Sequence, residues 1–151
     1  MRVHTLSART LLAAALLATV AACRVSTSVS PAELPTELAS RAVLARAPMR
    51  DTAGVAAVRG GVEVVGLLNQ TAPCFRLSSD ATRAGERIVV RLTATEKAET
   101  CNTFAAGAFD YDVGVSGLAP GSYDVEVVHR VQLKDGRVAE EKVSARRVEV
   151  K

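Results

Sequence analysis

Hydrophobic and polar residues alternate with a period of two along most of the chain beyond residue 55. The clearest run is Phe109, Tyr111, Val113 and Val115, separated by Asp110, Asp112, Gly114 and Ser116. Such alternation gives a strand one apolar and one polar face. Ile88, Val90, Leu92 and Ala94 repeat the pattern, as do Tyr123, Val125, Val127 and Val131 against Asp124, Glu126 and Arg130. Val55–Val58 and Val62–Leu68 flank Gly60-Gly61 and read as a strand pair or one bent strand. Cys74–Leu77 adds a short strand. Lys134-Asp135-Gly136 predicts a hairpin turn with glycine at the left-handed position, and Val138–Val150 returns as the last strand. Its apolar phase slips, which predicts a β-bulge between Val143 and Arg147.

Ahead of the strands the spacing changes. Leu34, Leu38, Ala42 and Ala45 recur at helical intervals, Pro35 suits a first helical position, and Glu37 sits in the first turn. This predicts a short helix over 35–46, with Arg41 and Arg46 near its end and Pro48 stopping it. Asp51–Gly54 reads as the boundary to a domain spanning 55–151, 97 residues long. Six or seven short strands without a long helix predict an all-β fold, an antiparallel sandwich.

The segment Gly117-Leu118-Ala119-Pro120-Gly121-Ser122-Tyr123-Asp124-Val125-Glu126-Val127 resembles a turn-and-strand signature of bacterial immunoglobulin-like, fibronectin-III-like and prealbumin-like modules. In the first two families a tyrosine at the start of a strand closes a tyrosine corner. The resemblance implies that role for Tyr123, with Leu118, Pro120 and Gly121 shaping the turn. Tyr123 follows Leu118 one residue sooner than the usual fibronectin-III spacing, so a prealbumin-like sandwich stays open beside the immunoglobulin-like one. Physically, Pro120 presets φ, Gly121 permits positive φ, and a buried Tyr123 ring needs a partner for its hydroxyl.

The N-terminus carries a different signal. Arg2 and Arg9 precede a 12-residue apolar run, Leu11–Ala22, broken only by Thr19. That is short for a bilayer span of about 20 residues and matches the core of a secretory signal peptide over 1–22. The run ends Val20-Ala21-Ala22-Cys23, which resembles a bacterial lipobox. The resemblance implies a lipidated Cys23 as mature N-terminus, followed by the polar tether of 24–31 within a 23–54 segment that also holds the helix. Two or more acyl chains make such anchoring stable. Arg24 after the cysteine implies outer-membrane sorting in a diderm cell; in a monoderm cell the protein would sit on the outer face of the plasma membrane.

Composition narrows the chemistry. Apolar residues make up 48% and charged residues 23%, ordinary globular usage. Three Phe, two Tyr and no Trp argue against an aromatic platform for single-stranded nucleic acid. Removing 1–22 leaves 17 Lys and Arg against 16 Asp and Glu, a charge of +1, with no basic block for nucleic acid. Three cysteines become an even pair once Cys23 is lipidated, and export favours a Cys74–Cys101 disulfide closing a 28-residue loop. Such a bridge is worth about 3–4 kcal/mol. No CxxC pair, nucleophile elbow or phosphate loop is present in the sequence, and no cofactor or metal site is expected. His129 falls by parity on the inward face, as a satisfied core residue rather than a catalyst. Asp110 and Asp112 share a strand face and could hold Ca²⁺, but read as a wet sheet surface. Asn69-Gln70-Thr71 matches a glycosylation sequon without consequence in a bacterial lipoprotein. The loop from Thr95 to Ala108, with Cys101 and Phe104, is the candidate contact loop; Phe104 reads as a cap on the core.

These readings converge on a membrane-anchored lipoprotein of the cell envelope. Its sandwich would be a non-enzymatic module that binds a partner protein or serves structure. An inhibitor or sensor of envelope hydrolases, and an enzyme with a cryptic surface site, are the alternatives.

Overall fold

A computed structural model of the chain describes residues 30–44, 49–98 and 107–151. Nine strands form two sheets: β1 (Ala32–Leu34), β2 (Thr36–Leu44), β3 (Thr52–Val58), β4 (Gly61–Leu68), β5 (Phe75–Ala84), β6 (Arg87–Glu96), β7 (Gly107–Ser116), β8 (Gly121–Gln132) and β9 (Val138–Val150). One sheet has the order β1-β5-β6-β8-β9 and the other β2-β7-β4-β3. A 3-10 turn, Ala72–Cys74, precedes β5.

The core lies between the sheets and is rich in β-branched side chains, which pack well on a pleated surface. Val62, Val64 and Leu68 of β4 and Val113 and Val115 of β7 meet Ile88, Val90 and Leu92 of β6 and Val125 and Val127 of β8. All are buried. The alternation in the sequence translates directly into these inward rows.

Three expectations are corrected. Among the described residues the helix expected over 35–46 is absent: residues 36–44 are β2, paired along its whole length with β7. The residues are good helix formers, but an isolated helix of that length is marginal in water. Pairing with β7 supplies partners for its backbone and lets Leu38 pack against the core. The sandwich therefore also takes in β1, β2 and β3, all beginning before residue 55, and among the described residues has nine strands rather than six or seven. Nor is it purely antiparallel. β7 crosses to the opposite sheet between β6 and β8, so these two run parallel, Arg87 beside Asp124 and Thr95 beside Gln132.

Other expectations hold. Gly60 and Gly61 lie at the turn of a β3–β4 hairpin, not in a bent strand. Gly136 takes φ +86° and donates to the Leu133 carbonyl at 3.0 Å, closing the last turn. The β8–β9 register slips between Val127, opposite Ser144, and Val128, opposite Lys142, leaving Val143 as the extra residue. The strand expected at Cys74–Leu77 holds in part: it is β5, which begins after Cys74 and continues to Ala84.

Candidate functional site

Among the inward-facing residues able to hydrogen-bond, Tyr111 of β7 and His129 of β8 meet. Tyr111 and His129 are each about 2% exposed. The Tyr111 hydroxyl lies 2.8 Å from His129 Nε2, with the rings edge to face at 77°. On the far side, His129 Nδ1 lies 2.7 Å from the Asp51 carboxylate. The other carboxylate oxygen of Asp51 accepts the backbone N–H of Asn69 at 2.7 Å. A chain of three side chains thus runs from the core to the end of the sandwich and joins the two sheets.

Its existence depends on a glycine. Gly66 is the β4 neighbour of Tyr111 in the ladder. A side chain there would collide with the Thr52 carbonyl, and its Cβ would lie 2.5 Å from the Tyr111 hydroxyl. That gap lets the phenol reach both His129 and the Thr52 carbonyl, 3.2 Å away.

Proton counting fixes the possible states. A carboxylate only accepts, so Nδ1 carries a proton toward Asp51. With a neutral ring, Nε2 accepts the phenolic proton. With a protonated ring, Nε2–H donates to the phenol oxygen, and the phenol turns its proton to Thr52. Both states leave no buried polar atom of the relay unpartnered, the condition under which a buried polar network is stable. Burial first, and then the negative charge of Asp51, push the Tyr111 phenol above its ordinary value of 10.0. That direction opposes a role as nucleophile, which requires easier ionisation.

Asp51, 24% exposed at its side chain, is the most open member of the relay. It lines a surface depression of about 580 Å³ together with His129, Arg50, Asn69, Glu140 and Glu141.

No family model, curated protein or solved structure matches this chain.

The residues singled out in the sequence lie elsewhere. Tyr123 is buried at the opposite end, where its hydroxyl donates to the Ala119 carbonyl at 2.9 Å and Arg83 stacks over its ring at 5.0 Å. Leu118 is buried beside it, Pro120 is exposed, and Gly121 opens β8. Cys74 closes the 3-10 turn before β5. Its expected partner Cys101, the lipobox Cys23, the signal segment and Phe104 lie outside the described residues. Asp110 and Asp112 point outward, Asp110 accepting from Arg41 Nε at 2.7 Å. His129 is where parity put it. Asp51 was read only as part of a boundary and Tyr111 only as core. Two polar-capable residues at inward positions of neighbouring runs were the available signal, since each needs a buried partner.

Proposed function

We propose that the protein is a lipid-anchored module of the cell envelope whose sandwich binds a partner protein without catalysing a reaction. The observation that carries this is the Val20-Ala21-Ala22-Cys23 end of the apolar run. The first strand starts at Ala32, so a tether from Cys23 reaches at most about 30 Å. Such a length holds a folded domain close to a membrane. The non-enzymatic reading is supported by the relay, whose histidine has both ring nitrogens occupied and whose phenol is buried and hard to ionise. The two-sheet architecture and the Tyr123–Ala119 bond favour an immunoglobulin-like relationship, and a Cys74–Cys101 bridge would pin the loop after β6.

The test is fractionation of cells producing the full chain or Cys23→Ser. The native chain is expected in the membrane fraction and the variant in the soluble one. Membrane attachment that survives Cys23→Ser contradicts the lipid anchor.

A further inference from the structure

The two outer faces of the sandwich differ in how they use charge. On the five-stranded sheet, opposite charges neutralise one another across strands: Arg87 with Glu126 and Arg91 with Asp80, each at 2.9 Å, and Arg147 with Asp124 at 3.1 Å. The four-stranded sheet is built differently. Its registers align Glu37, Gly114, Glu63 and Ala56 in one row, Ala39, Asp112, Val65 and Gly54 in the next, and Arg41, Asp110, Leu67 and Thr52 in a third. These rows hold four carboxylates and one guanidinium. Arg41 is committed to Asp110. Among the described residues, no cation lies within ion-pair distance of Glu37, Glu63 or Asp112.

Between these charges the face carries mostly small or apolar side chains, Ala39, Ala56, Val58, Val65 and Leu67 among them. Val65 is 47% exposed and Val58 42%. A side chain at Gly114 would stand in open space. Ala39, Val65 and Asp112 help line a depression of about 380 Å³, which Arg41, paired with Asp110, also borders. An apolar floor beside a carboxylate matches a lysine or arginine of a partner, whose aliphatic stem packs on carbon while its charged head reaches the acid. Small side chains also lose little rotamer entropy when covered.

We infer that the outer face of the four-stranded sheet docks a basic protein surface, with a lysine or arginine side chain seated over Ala39 and Val65 against Asp112. This rests on the reading of the sandwich as a protein-binding module and names the chemistry of its partner.

Oligolysine serves as the probe, added to the full chain and coupled with a carbodiimide, which joins amines to the carboxylates they touch. Mass spectrometry then maps the adducts. Adducts are expected at Asp112 and Glu63, well above Asp80, Glu126 and Glu149 on the other sheet. The double variant Asp112→Asn, Glu63→Gln should weaken oligolysine binding about tenfold while leaving the thermal midpoint unchanged, and added salt should do the same. Adducts spread evenly over both faces, or binding unaltered in the double variant, overturn the inference. Because the assay reads the surface in solution, its outcome is independent of lipidation, and the Cys23→Ser fractionation reports separately on the anchor.

Discussion

The two tyrosines of this chain are equally buried, yet they end in different chemistry. Tyr123 gives its proton to the Ala119 carbonyl, four residues upstream in its own turn. A backbone carbonyl does not titrate, so this bond simply closes the turn. Tyr111 ends on His129, which ends on Asp51, 60 positions before Tyr111 in the chain and in the other direction from the turn. That link spans both sheets and contains groups that gain and lose protons. Burial of a tyrosine therefore says little by itself; the partner at its hydroxyl decides whether it is a local clasp or a strut between distant segments.

The sharpest way to separate the two is to remove one partner. Asp51→Ala leaves the His129 Nδ1–H and the Asn69 N–H without their acceptor. It should destabilise by about 1–3 kcal/mol, the usual cost of orphaned buried groups. Tyr123→Phe, which deletes one bond to a carbonyl and keeps the ring, should cost only about 1 kcal/mol. Urea unfolding midpoints measure both, and equal losses would remove the distinction.

A smaller effect appears in alkali. The folded state holds the Tyr111 proton more tightly than the unfolded chain does. The resulting stability is complete below the unfolded tyrosine value of about 10 and is lost as pH rises above it. In Tyr111→Phe that part of the alkaline loss should vanish. Identical urea midpoints against pH for the native chain and Tyr111→Phe, between about pH 9 and 11, would place the phenol in water instead.

Much of this was legible in the sequence, for physical reasons that also mark where it stopped. Alternation exposed β6, β7 and β8 because each buries one face against the opposite sheet. The β9 bulge was visible because Val143 breaks the apolar phase. β2 misled because its composition favours helix, and only the open side of β7, far along the chain, makes it a strand. The parallel β6–β8 pair follows from the path of β7 between sheets, which no local pattern records. Within the relay, His129 was placed on the correct face by parity. Asp51 was missed because it reaches the histidine from a segment 78 residues away.

The relay itself can be read from the ring nitrogens of His129 by ¹⁵N NMR on the full chain. The expected result is a slowly exchanging proton on Nδ1, lost or shifted in Asp51→Ala, with Nε2 coupled across a hydrogen bond to Tyr111. A neutral ring protonated only on Nε2, with Nδ1 bare, would show that Asp51, His129 and Tyr111 are not joined.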